Sequence, residues 1–140
     1  MKIGVPKEIK PQEHRIGLTP ESVKILTANG NQVLVENNGG FEAGFDNDQY
    51  KNAGAKIIEK AADIFNDAEI IVKVKEPQKV EVEMIRENQI VYTYLHLAAA
   101  KELTEGLVKS KSINIAYETI TDDNGRLPLL APMSLSLIHI

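Results

Sequence analysis

Gln89-Ile-Val-Tyr-Thr-Tyr-Leu-His96 is the stretch whose reading decides the fold. Successive side chains of a strand point to opposite faces. Ile90, Tyr92, Tyr94 and His96 therefore share one face, and Val91, Thr93 and Leu95 the other. Apolar groups on both faces mark an interior strand of a parallel sheet, covered on both sides. A second run, Glu69-Ile-Ile-Val-Lys-Val-Lys75, sets Ile70, Val72 and Val74 against Ile71, Lys73 and Lys75 in the same way. Both runs end on a side chain with chemistry: Lys75 ahead of Glu76-Pro77, and His96 ahead of the alanines that follow.

Outward from these two runs, short β-branched segments alternate with helical patterns. Lys2–Val5 predicts a strand stopped by Pro6. Thr19-Pro20-Glu21 supplies an N-cap, a proline at the first helical position and an acid in the first turn, and Asn29-Gly30 ends that helix. Gln32–Glu36 and Lys56–Ile58 read as strands, Asp46 as the cap of a short helix ending at Ala53-Gly54, and Glu59–Asn66 as a helix. Lys79–Glu87 and Ala100–Ser110 read as helices, Ser112–Tyr117 as a strand, and Asp122-Asp-Asn-Gly125 as a turn. Strands and helices in alternation predict a single α/β domain, an open and mostly parallel sheet flanked by helices, Rossmann-like or flavodoxin-like.

The 140 residues carry 43% hydrophobic and 26% charged side chains with a net charge of −4, which argues against nucleic-acid and membrane-surface roles. There is no cysteine, so disulfides, thiolate catalysis and Cys-based metal sites are excluded. The opening MKIGVPKEIK has charge throughout and no apolar run, and the expected location is the cytoplasm. Gly39 and Gly44 have the spacing of a phosphate loop, but Phe45-Asp46 follows where Lys and Ser or Thr are needed. Gly-x-Gly-x-x-Gly occurs nowhere, so the dinucleotide fingerprint is lacking.

In open parallel sheets, ligands bind beyond the carboxyl ends of the strands. Arg15 follows the first strand, Lys75 and His96 end two others, and Glu118 follows the last. Singly, each has an ordinary reading: a solvated arginine, a lysine reaching water, a partly buried histidine, a loop acid. The three histidines, His14, His96 and His139, show no metal-ligand spacing, and no metal is expected. Together, cationic and protonatable groups on one edge would repel unless an anion sat among them, and a small carboxylate is the expected guest.

Six segments carry a family resemblance: Lys2-Ile-Gly-Val-Pro-Lys-Glu-Ile-Lys10, Glu13-His-Arg-Ile-Gly-Leu-Thr-Pro20, Lys73-Val-Lys-Glu-Pro77, Tyr94-Leu-His-Leu-Ala-Ala99, Ala116-Tyr-Glu-Thr119 and Leu127-Pro-Leu-Leu-Ala-Pro-Met-Ser134. In order and spacing they resemble the N-terminal, substrate-side domain of alanine dehydrogenases, a family shared with the alpha subunit of proton-translocating nicotinamide nucleotide transhydrogenase. The resemblance implies oxidative deamination of L-alanine to pyruvate and ammonium with NAD as acceptor, in a homo-hexamer. It implies that Arg15 and Lys75 hold the substrate carboxylate, that His96 is the acid/base, and that Tyr94 and Met133 line the substrate pocket. Glu118 matches a family motif without an implied role. A transhydrogenase fragment and a non-catalytic module binding small carboxylates are the alternatives.

By the same resemblance NAD belongs to a second, downstream domain that follows Ser134. Residues 1–134 are expected to be the substrate-side domain, inactive by themselves. Leu135-Ser-Leu-Ile-His-Ile140 departs from the family pattern and is expected to be a truncation artefact, which leaves His139 without a role.

Overall fold

The computed structural model describes residues 1–130. The β-branched runs become six strands: β1 (Lys2–Val5), β2 (Gln32–Glu36), β3 (Lys56–Ile58), β4 (Ile70–Val72), β5 (Ile90–Thr93) and β6 (Ile113–Ala116). They form one sheet in the order β3-β2-β1-β4-β5-β6, and every pairing is parallel. This is the Rossmann order, whose direction reverses between β1 and β4 and opens a crevice there.

Among the described residues five α-helices cover the sheet: α1 (Pro20–Ala28), α2 (Asn47–Asn52), α3 (Ala61–Asp67), α4 (Lys79–Val82) and α5 (Lys101–Ser110). Local chemistry sets their ends. Thr19 Oγ1 accepts from the Ser22 amide at 3.2 Å to start α1, and Gly30, at φ +86°, turns the chain after it. Asp46 and Gln49 exchange side-chain and backbone hydrogen bonds of 2.9 Å, a capping box that starts α2. On one face Val23 of α1 and Tyr50 of α2 pack with Val5, Val33, Val35 and Val72. On the other, Ile64 and Phe65 of α3 and Leu107 of α5 pack with Leu34, Ile71, Val91 and Leu95. The two-sided burial expected of the strand runs is thus present, with Val91 and Ile71 fully covered.

Three segments differ from the sequence expectation. The helix expected over Lys79–Glu87 stops at Val82. The residues beyond it turn to serve α3 instead: Arg86 donates through Nε and Nη2 to the carbonyls of Phe65 (3.0 Å) and Ala68 (2.7 Å), and Gln89 Nε2 reaches both at 2.8 Å. These carbonyls end α3 and would otherwise be orphaned. Regular strand geometry in the run to Lys75 ends at Val72, although the Lys73 amide still donates to Tyr92 O at 3.0 Å and the Tyr94 amide to Val74 O at 3.2 Å. Likewise, β5 stops at Thr93, and His96 takes a left-handed conformation, φ +51°, before a short 3-10 turn over Leu97–Ala99. Met133, His139 and the expected tail 135–140 lie outside the described residues.

Candidate functional site

At the reversal point of the sheet, β1 ends in Pro6-Lys7-Glu8 where a dinucleotide-binding fold has its glycine turn, and residues 6–19 intervene before α1 begins. Glu8 turns inward. Its carboxylate accepts from the amides of Val74 (3.2 Å) and Lys75 (3.0 Å) and pairs with the Lys73 ammonium at 3.2 Å. Lys73 also pairs with Glu81 of α4 at 3.0 Å, and all three side chains are no more than 2% exposed. Burial pushes the Glu81 carboxyl up, with Lys73 opposing that shift. A crevice already filled by a carboxylate and without a glycine turn does not fit a pyrophosphate. That crevice therefore does not fit the pyrophosphate of NAD.

Above this buried cluster lie the residues singled out by sequence. Lys75 is fixed at both ends of its peptide unit: the amide by Glu8, and the carbonyl by the Thr93 hydroxyl of β5 at 2.8 Å. Arg15 rides on the long loop from β1. Gly17 brings that loop against β4 so closely that an added Cβ would lie 2.5 Å from Val72 O, an approach only glycine allows. The Arg15 guanidinium is half exposed, and its Nε and Nη2 donate to both carboxylate oxygens of Glu13, at 2.9 and 2.7 Å. That bidentate bond holds the Glu13 carboxyl at a pKa of about 2. It uses one edge of the guanidinium and leaves the Nη1 edge for a guest.

His96 is exposed, and its ring stacks on Tyr94 with centroids 5.4 Å apart and planes 23° from parallel. Tyr94 itself is buried, and its phenol is pushed up by that burial and by the charge of Glu118, with Arg15 opposing. Glu118 accepts from the backbone amides of Leu95 (3.0 Å) and His96 (3.1 Å). Glu13 in turn feels the charge of Lys75. At the carboxyl ends of β1, β4 and β5, Arg15 thus lies within reach of the charge of both Glu13 and Tyr94, Lys75 within reach of Glu13, and His96 stacked on Tyr94. Among the described residues no three His, Asp or Glu side chains gather to hold a metal ion.

Four residues of this arrangement escaped the sequence reading: Glu8, Glu13, Lys73 and Glu81. Glu13 lies inside a segment quoted for the resemblance, two residues from Arg15, and that spacing was the available signal. Lys73 shares a strand face with the core residue Ile71, so its position already pointed inward. Nothing in the local sequence marks Glu8 or Glu81 as its partners. Two hollows lie apart from the site. A groove of about 840 Å³ runs between α4 and α5, and an apolar hollow of about 480 Å³ is lined by Leu26, Ile70, Tyr92 and Tyr117.

Comparison with known proteins places this geometry. Residues 4–136 match the family model described as alanine dehydrogenase/PNT, N-terminal domain. The chain is 48% identical over 134 residues to an alanine dehydrogenase of Staphylococcus epidermidis, and 50% identical over the same length to one of Halomonas elongata. In each case 96% of this chain aligns with only 36% of the relative, so the chain spans about a third of the length of these curated relatives. Among solved structures, an L-alanine dehydrogenase superposes with a TM-score of 0.93 at 49% identity, covering 96% of this chain and 37% of that one. A transhydrogenase from Sinorhizobium meliloti superposes with a TM-score of 0.80 at 28% identity, covering 86% and 36%.

Proposed function

The chain belongs to the alanine dehydrogenase/PNT N-terminal domain family, and from that membership we propose that it is the substrate-side part of an NAD-dependent L-alanine dehydrogenase. The reaction takes L-alanine, NAD and water to pyruvate, ammonium and NADH, and runs in both directions. One observation carries the assignment of a carboxylate site: Lys75 and the Arg15 loop are both locked onto the end of β4, beside the end of β5 that bears His96. Higher identity to the dehydrogenases than to the transhydrogenase favours an amino-acid substrate. We further propose a cytoplasmic homo-hexamer, with NAD held outside residues 1–134, residues 135–140 as a tail foreign to the domain, and both Tyr94 and Met133 as residues of the substrate pocket, as the family pattern implies.

In this reading the residues bind and orient the substrate and move protons. The open edge of the Arg15 fork and the Lys75 ammonium take the substrate carboxylate, the first as paired donors and the second as a point charge. Glu13 keeps the fork from rotating, so the guest meets a preset edge. Tyr94 gives the guest an apolar wall. His96 removes a proton from the water that adds to the imino carbon and passes it to the nitrogen; it then takes the hydroxyl proton as the C–N bond breaks, leaving the ketone, and gives that proton to the departing ammonia, which leaves as ammonium. An imidazole can take up a proton and give it back from the same ring nitrogen, so one group serves both directions.

The test joins residues 1–134 to the downstream two-thirds of the Halomonas elongata alanine dehydrogenase. The graft should form NADH only when L-alanine is present, and His96→Ala should abolish this in a protein that stays folded. Full activity in His96→Ala would remove the proton-carrier role. A folded graft without alanine-dependent NADH formation would remove the dehydrogenase reading.

A further inference from the structure

The Ala116-Tyr-Glu-Thr119 segment has no role in the reading above, yet its acid makes contacts too specific for a loop residue. Glu118 sits on the short 3-10 turn over Tyr117–Thr119 that follows β6. Its Oε1 takes both the Leu95 amide at 3.0 Å and the His96 amide at 3.1 Å, and Oε2 adds a longer contact of 3.3 Å to Leu95. These are the amides freed where β5 leaves the sheet. Without an acceptor beside them they would have to turn to water, and the chain there would relax toward extended backbone.

His96 is not extended. At φ +51° and ψ +41° it occupies the left-handed region, which a side chain with a Cβ adopts reluctantly and which persists only when its surroundings impose it. The surroundings here are rigid. Tyr117, next to Glu118, donates its hydroxyl to Lys73 O at 2.8 Å, and its ring stands edge-on to Tyr92 and Tyr94 with centroids 4.3 and 5.7 Å away. Glu118 is therefore mounted on a residue bonded to β4 and packed against the β5 segment. Lys75 is gripped in a parallel manner by Glu8, so Lys75 and His96 each have a carboxylate clamped on the backbone amide.

We propose that Glu118 is a positioning residue: its carboxylate imposes the left-handed bend at Leu95-His96 and thereby seats the His96 ring on Tyr94, facing a guest held by Arg15 and Lys75. The seat itself is independent of the reaction, and its catalytic consequence rests on the reading of His96 as the proton carrier.

Two conservative variants separate position from charge. Glu118→Gln removes the charge but can keep an oxygen at the Oε1 position, where both short bonds are made. Glu118→Asp keeps the charge but withdraws it by one methylene, about 1.5 Å. In the isotope-labelled 140-residue chain, positive φ at His96 gives a strong intraresidue amide–Hα Overhauser effect, and the stack gives Tyr94–His96 ring contacts. Both signals should survive in Glu118→Gln and fade in Glu118→Asp. In the graft, Glu118→Asp should lower kcat by about 10- to 100-fold, the scale of a displaced catalytic group, with KM for alanine nearly unchanged. Glu118→Gln should stay within about threefold of the parent. The reverse ranking would make Glu118 an electrostatic partner and overturn the proposal, as would unchanged ring contacts in Glu118→Asp. Overhauser effects that follow the expected ranking, in a graft whose His96→Ala variant keeps full activity, would leave the seat standing and refute only the role of His96.

Discussion

Replacing Lys73 by methionine removes the cation from a buried cluster of three charges. The ammonium is 1% exposed and lies 3.2 Å from Glu8 and 3.0 Å from Glu81, themselves 1% and 2% exposed. At these separations each attraction is on the order of 5 kcal/mol in a medium of effective dielectric about 20, most of it offset by taking the charges out of water. Methionine fills nearly the same volume, so the loss is electrostatic rather than a cavity. What remains is two buried carboxylates facing each other without a cation, and breaking a buried pair in this way costs about 3–5 kcal/mol. A domain of this size has a total stability of about 5–15 kcal/mol. With a urea slope of about 2 kcal/mol/M, the unfolding midpoint should fall by about 2 M.

The pH dependence gives a second reading of the same variant. The Glu81 carboxyl is already pushed up by burial, and without the opposing charge of Lys73 it must rise further above its ordinary value of 4.5. A carboxyl raised in the folded state binds more protons folded than unfolded, so stability falls as pH rises through the window above 4.5. Lys73→Met should therefore regain much of its lost midpoint on acidification from pH 7 toward pH 4.5, relative to the parent at each pH. An equal midpoint for parent and variant at pH 7 would refute the burial and pairing described here.

Other expectations follow from single contacts. Glu13, held at a pKa of about 2 by Arg15, contributes stability that is full above its ordinary 4.5 and is lost as pH falls toward 2; the difference in urea midpoint between parent and Glu13→Gln should be constant above pH 4.5 and shrink below it. Arg15→Lys keeps the charge but loses the fork, and should raise KM for alanine in the graft by about 10- to 100-fold, the worth of a charge-assisted hydrogen bond, with kcat less affected. Gly17→Ala places a Cβ 2.5 Å from Val72 O, so the Arg15 loop must lift from β4; calorimetry should show a domain about 1–3 kcal/mol less stable, and an unchanged melting temperature would contradict that close approach.

Most of the fold was legible because its determinants are local. Thr19 and Asp46 cap their helices with their own side chains, Pro6 ends β1, and the apolar faces of Val91 and Ile71 follow from the period of a strand. Where the reading erred, a distant partner intervened: the segment after Val82 left the helix because Arg86 and Gln89 serve carbonyls that close α3. The site divides along the same line. Arg15, Lys75, His96 and Glu118 were visible as polar groups at the carboxyl ends of predicted strands, and Tyr94 only through the family pattern.

What the sequence by itself determined is therefore the alternation of strands and helices, the caps, the buried faces, the missing dinucleotide turn and the family pattern, since each depends on residues a few positions apart. Tertiary structure alone decided that Glu8, Lys73 and Glu81 form one buried cluster at the β1–β4 reversal, and that Glu118 clamps the backbone of His96 from the next strand. Glu8 lies 66 residues from Val74, and Glu118 lies 22 from His96. A charge is stable in the interior only when its partner arrives with it, and which partner arrives is set by the order of the strands rather than by any pattern along the chain.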